Sequence, residues 1–240
     1  MTCIVGYVER AMTYETGPGN KPRETGRRVW IGGDSAATDD LGGFQTRRDP
    51  KVFKRGDYLI GCAGSPRGDQ IIRHATKLPR WNGRGLWKFM CTDFIETLRE
   101  TLKKGGVAGT PRGEVSEDCD IEMLVGCYGH LFEVWSDFQI SEVTWKYSAV
   151  GSAADIALGA MCVSPELPSY FQIHPGKILT LALQAAARHA ADVGPPFKIL
   201  SILHKNEDVK KLRERAKQKP KSKARKAGTA GEEVESNGDN

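Results

Sequence analysis

Residues 58–64 read YLIGCAG and residues 198–203 read KILSIL. A strand with one face in water alternates apolar and polar side chains, whereas a strand covered on both faces is apolar nearly throughout. These two runs therefore predict sheets buried on both sides. The start of the chain, TCIVGYVE, alternates instead, with Cys3, Val5 and Tyr7 on one side and Ile4 and Val8 on the other. The same reading places a strand at 29–33 and further strands near 43–47, 52–54, 57–63, 120–127, 131–136, 147–150 and 198–204. Helices are predicted over 65–78, 86–104, 153–162 and 177–191, the second ending at Lys103-Lys104-Gly105-Gly106, where cations meet the negative helix terminus. Residues 9–28, rich in Gly, Pro, Thr and charge, read as a long loop, and GGDSAATDDLGG (32–43) as a turn cluster. The order is strands, helix pair, strands, helix pair, strand. Two stacked sheets with a helix pair on each outer face satisfy it; a doubly wound α/β sheet does not, because strands and helices fail to alternate singly.

Charge divides the chain. Of the formal net charge of +5 over 240 residues, residues 205–240 contribute +4 (11 Lys/Arg against 7 Asp/Glu). The body, 1–204, is near neutral, which argues against a nucleic-acid-binding face there. The tail from 205 reads as a helical extension passing into charged, disordered chain. Six cysteines at 3, 62, 91, 119, 127 and 162 form no C-x-x-C pair, and the five histidines are scattered, so no metal or redox spacing is present. A reduced, cytoplasmic protein is expected. No apolar run is long enough for a membrane span, the start lacks the basic region and apolar stretch of a secretory signal, and no phosphate-binding glycine motif occurs.

The residue after the initiator Met is Thr2. Removal of Met1 would give it a free α-amine beside its own hydroxyl, a base and a nucleophile on one residue. An α-amine titrates near pH 8, close to working pH, and a neighbouring ammonium lowers that value further. Acyl transfer also needs a carboxylate to hold the ammonium and donors for an oxyanion. Asp34 ends the second strand, which a hairpin would return to Thr2. Lys51 follows in RRDPKVF, Gly64 ends LIGCAG where backbone N–H groups leave the ladder, and Ser152 opens a helix in SAVGSAAD. Taken singly, Asp34 also reads as an Asx turn residue, Lys51 as a solvated turn lysine, Gly64 as a tight-turn glycine and Ser152 as an N-cap.

Together, TCIVGYVE, VWIGGDSAAT, DPKVFKRGDYLIGCAG and AVGSAADIALGA resemble the proteasome β-type peptidases, N-terminal nucleophile hydrolases with an αββα sandwich fold, and within them the bacterial two-ring peptidase that works with an AAA+ unfoldase. The resemblance covers roughly residues 2–204. It implies Thr2 as nucleophile, Lys51 as the lysine that tunes its amine, Asp34 as the holder of that lysine, Gly64 as an oxyanion donor and Ser152 as a hydrogen-bond partner of the amine. It implies a side-chain pocket at Ala37, Asp49, Phe53 and Cys62, peptide or protein substrates, a homo-oligomeric ring and an AAA+ ATPase partner; no cofactor or metal is expected. The family's second Asp and Ser, in a stretch RD-x-x-S-G, correspond here to RHAADVGPP, where Asp192 is out of register and the Ser is missing. The alternatives on the same fold are an amidohydrolase for a small amide and a non-catalytic scaffold whose tail recruits partners.

Overall fold

Cys3, Val5 and Tyr7 pack into a layer of helices, while Ile4 and Val8 pack against a second sheet. The computed structural model describes residues 2–13, 21–38, 43–109, 117–163 and 173–218. In chain order its strands are β1 (Ile4–Thr13), β2 (Arg23–Gly33), β3 (Ala36–Thr38), β4 (Phe44–Thr46), β5 (Val52–Arg55), β6 (Tyr58–Gly64), β7 (Ile121–Cys127), β8 (His130–Val134), β9 (Ile140–Glu142), β10 (Tyr147–Val150) and β11 (Lys198–Lys205). Its helices are α1 (Pro66–Gln70), α2 (Leu86–Phe89), α3 (Ile95–Lys104), α4 (Ala154–Met161), α5 (Pro175–His189) and α6 (Asn206–Gln218). A π-helical stretch, Ile71–Ala75, continues α1, and another, Met90–Phe94, joins α2 to α3.

Two antiparallel sheets stack face to face. The first has the order β10-β1-β2-β11 and the second β5-β6-β7-β8-β9; β3 and β4 form a separate hairpin. Between the sheets lie Ile4, Val29, Ile31 and Val150 from one side and Val52, Leu59, Leu124 and Leu131 from the other. On the outer face of the first sheet, Cys3 and Val5 meet Ala157 and Met161 of α4 and Leu179 and Leu183 of α5. On the outer face of the second, Ile60, Met123 and Phe132 meet Ile72, Met90, Phe94 and Leu98. The chain is thus an α+β, four-layer αββα sandwich.

The layering explains both apolar runs. In β6, Leu59 and Ala63 face the first sheet while Tyr58, Ile60 and Cys62 face helices, so every position is buried up to Gly64. In β11, Ile199 packs toward the helices and Leu200 and Ile202 toward the other sheet, but as an edge strand it stays only partly buried.

Several expectations are corrected. Residues 9–28 are not one loop: β1 runs to Thr13 and β2 begins at Arg23, paired from Ile4↔Gly33 out to Thr13↔Arg23 with an irregularity at Ala11/Met12. The ribbon's outer end is held by its ladder without a buried face, so it needs no apolar alternation. β3 lies inside the turn cluster, and β9 was not predicted. The helix predicted over 65–78 ends at Ala75, where the Arg55 guanidinium donates to the carbonyls of Ile72 (3.1 Å) and Arg73 (2.7 Å). The helical extension expected from 205 is α6, residues 206–218, and it is docked rather than free, with Val209 and Leu212 against the outer helix layer and Ala216 buried. Residues 219–240, and residues 114–116 of the polar loop that the sequence places at 114–118, lie outside the described residues. Among the described residues no helix is long and apolar enough to cross a membrane.

Candidate active site

Three strand termini converge at one end of the sandwich. Thr2 precedes β1, Asp34 follows β2, and Lys51 precedes β5. The β1–β2 hairpin brings the first two together: the Cys3 N–H donates to Asp34 Oδ1 at 3.0 Å, and the Asp34 N–H reaches the Cys3 carbonyl at 3.4 Å. Asp34 Oδ2 also accepts the Ala36 N–H at 2.9 Å, an Asx-type turn bond made by the same carboxylate that holds Lys51. The second sheet supplies the lysine. Lys51 Nζ donates to Asp34 Oδ1 (3.0 Å) and Oδ2 (3.1 Å) and to Thr2 Oγ1 (2.8 Å). Its side chain is 3% exposed and that of Asp34 0%. A buried ion pair is tolerable only when its remaining lone pairs and protons are satisfied, and here two backbone N–H groups and one hydroxyl do so.

Burial pulls the Lys51 ammonium below its ordinary value, and Asp34 pulls in the opposite direction with less effect. Cys3 is pushed up to about 12, first by burial and then by Asp34. The thiol beside Thr2 therefore stays protonated at neutral pH.

Ser152 sits in the turn between β10 and α4. It is not the N-cap; Ala153 holds that place, without a side-chain cap bond. The Ser152 hydroxyl donates to Asp192 Oδ2 at 2.6 Å, accepts from Thr2 N at 3.2 Å and lies 3.3 Å from the Thr2 carbonyl. A hydroxyl has one proton, and the short charge-assisted bond to Asp192 takes it. Asp192, buried in the segment after α5, thus joins the site despite its shifted register. Gly64 ends β6 with φ +97°, and a Cβ there would come within 2.1 Å of the Asp120 carbonyl oxygen, so only glycine fits. Its neighbour Ala63 lies 3.1 Å from the Cβ position of Gly151, which itself abuts Thr2.

The four expected pocket residues are less unified. Phe53 and Cys62 are buried in the outer core of the second sheet, Ala37 lies on the β3–β4 hairpin, and Asp49 precedes β5. A charge cluster ties this region together. Arg47 pairs with Asp49 and, at 3.4 Å, with Asp69 of α1; Arg73 binds Asp69 at 3.1 Å and lies 4.4 Å over the Phe53 ring. Asp49 is therefore already paired with Arg47. A groove of about 520 Å³ includes Ser35 and Arg47 but none of the four. Among the described residues no group of His, Cys, Asp or Glu could hold a metal ion.

No protein-family model matches the chain, nor does any curated protein. Solved structures do. BPH of Thiobacillus denitrificans, in complex with epoxomicin, aligns at TM-score 0.62 and 20% identity over 85% of this chain and 99% of that one. Eukaryotic HslV from Trypanosoma brucei aligns at 0.56 and 15% over 85% and 100%. An Anbu mutant from Hyphomicrobium sp. strain MC1 aligns at 0.53 and 12% over 89% and 92%. At these identities the likeness is one of fold.

Proposed function

We propose that this chain, which has the αββα fold of the proteasome-like N-terminal nucleophile peptidases, is a threonine peptidase whose nucleophile is Thr2 after removal of Met1. The observation that carries the reading is the 2.8 Å contact from Lys51 Nζ to Thr2 Oγ1, with the same ammonium held by buried Asp34. In the mechanism the Thr2 α-amine accepts the Oγ1 proton as Oγ1 attacks the peptide carbonyl carbon. The ammonium of Lys51 stabilises the developing alkoxide and keeps the amine neutral near pH 7 by repulsion. The Gly64 N–H serves the oxyanion. The protonated amine then delivers its proton to the leaving nitrogen as the C–N bond breaks, leaving an ester on Oγ1. Water, deprotonated by the same amine, cleaves the ester and restores Thr2. Ser152, backed by Asp192, orients the amine.

Peptide and protein substrates, a homo-oligomeric ring enclosing the sites and a separate AAA+ ATPase unfoldase complete the reading; the given sequence carries no ATP-binding motif of its own. Ala37, Asp49, Phe53 and Cys62 shape the side-chain pocket, with Arg47 setting how much of the Asp49 charge is free.

Intact-mass analysis combined with labelling by epoxomicin, the ligand of the Thiobacillus protein, tests the mechanism. The expected result is a chain starting at Thr2, one adduct confined to Thr2, and no adduct or peptide hydrolysis in Thr2→Ala. An active preparation that retains Met1 would rule it out.

A further inference from the structure

Gly151 is pressed closely onto Thr2. It follows β10 with φ +97°, and a Cβ there would stand 2.3 Å from the Thr2 carbonyl oxygen and 3.0 Å from its carbon. Its own carbonyl accepts the Ala154 N–H at 3.0 Å, and the next residue, Ser152, contacts the Thr2 nitrogen. The Gly151–Ser152 turn is therefore the wall against which the terminus rests. Besides the Ser152–Asp192 bond and the β1–β10 ladder, the wall has a tie to the other sheet: Glu122 Oε2 accepts the Gly151 N–H at 2.9 Å. Glu122 lies on β7, in register with Ala63 and one residue from the partner of Gly64.

We infer that Glu122 is a positioning residue: its carboxylate ties β7 to the Gly151–Ser152 turn and so sets the Ser152 hydroxyl and the Thr2 nitrogen against the Lys51–Asp34 pair. Three observations carry this. The bond crosses from one sheet to the other at the open end of the sandwich, where no ladder joins them. It is charge-assisted, so it is among the stronger hydrogen bonds available to a backbone N–H. And the turn it holds has no slack toward Thr2, so its displacement moves the catalytic contacts directly. Glu122 is itself neither nucleophile, base nor oxyanion donor; it acts through Gly151.

The inference rests on the peptidase reading for its catalytic consequence but not for its geometry, and the test keeps the two apart. Full-length Glu122→Ala and Glu122→Gln are compared with wild type in fluorogenic peptide hydrolysis and in amide hydrogen exchange across residues 147–153. Loss of the tie lets the turn drift, and misplacement on the order of 1 Å costs up to about 100-fold. Glu122→Ala is expected to lose kcat by about 10- to 100-fold with KM within about 2-fold of wild type, and to exchange the Gly151 amide faster. Glu122→Gln keeps an acceptor oxygen and is expected to recover most of kcat and of the protection. Unchanged Gly151 exchange in Glu122→Ala overturns the tie whatever the turnover. Wild-type kcat in Glu122→Ala, or a Gln variant as impaired as the Ala variant, overturns the positioning role. Wild-type protein without Thr2-dependent hydrolysis overturns the peptidase reading instead, leaving the exchange data to decide the tie.

Discussion

Lys51 is pulled two ways, and the balance is testable. Burial lowers its pKa, Asp34 raises it, and burial prevails. Replacing it with Ala removes the only cation bonded to Thr2 Oγ1 among the described residues while leaving Asp34 its two backbone donors. Lys51→Ala is expected to fold and to lose about 10²–10³-fold in kcat, as for loss of one preorganised donor; a full-strength enzyme would remove the lysine from the mechanism. On the proposed mechanism the group must be protonated to act, so activity is expected to fall as pH rises through its folded pKa, which lies below the ordinary 10.5. A kcat/KM profile is expected to show its alkaline limb below that value, and a limb at or above 10.5 belongs to some other group. Ser152 and Asp192 form one unit, so Ser152→Ala and Asp192→Asn should be non-additive, with a coupling energy of about 0.5–3 kcal/mol in a double-mutant cycle on kcat. Thr2, Asp34 and Lys51 were legible in the sequence as a set, because each sits at the end of an expected strand and together they match the motifs of the resembled family. Asp192 was harder to place because the segment after α5 has no period, and only the packed fold fixes its register against Ser152. Glu122 gave no sequence signal at all, since a polar residue on a sheet next to its edge turn looks like any solvated strand position.

At the scale of elements, strands and helices with a buried stripe were read correctly because burial imposes the period. The outer halves of β1 and β2 escaped because their ladder bonds are sequence-independent and their side chains are solvated. The π-helical stretches escaped because one extra residue per turn shifts the apolar stripe without erasing it. α6 was read as a fraying extension because its composition is mostly charge, yet its sparse apolar positions are spaced to dock. Val209 and Leu212 meet the outer core, the Arg84 guanidinium bonds the Ala216 carbonyl, and Arg213 lies 5.9 Å over the Trp81 ring. Trp81 in turn packs against Tyr128 at a tilt of 55°, with centroids 4.8 Å apart, so α6 closes a face of the core. Leu212→Ala is expected to lower unfolding free energy by about 1–3 kcal/mol in urea titration with hydrolysis per folded chain unchanged. No shift in the urea midpoint would mean that α6 is not docked in solution.

The four-layer plan buries ionisable groups that carry no charge at neutral pH, and this gives the molecule a characteristic pH response. Burial pushes Cys3 up to about 12 and Cys119 up to about 11, and raises Cys62, Cys127, Tyr58 and Tyr128 as well. In the unfolded chain these thiols and phenols titrate near their ordinary values of 9.0 and 10.0. The folded state therefore keeps protons that the unfolded state releases. Each such group contributes stability that is fully present below its unfolded pKa and is lost as pH rises toward its folded pKa, at about 1.4 kcal/mol per pH unit inside that window. Lys51 works in the opposite sense: between its lowered folded value and 10.5 the unfolded chain holds the extra proton, so this one group adds stability as pH rises. Four thiols entering their window together outweigh it. Urea midpoints are expected not to fall up to about pH 9 and to fall steeply above it, before the phenols of Tyr58 and Tyr128 join near pH 10. Cys127→Val fills the same buried space without an ionisable group, so its decline above pH 9 should be shallower by one proton's worth of slope. An identical slope in wild type and Cys127→Val would mean that the thiol between β7 and the helix layer is reached by solvent in the folded state.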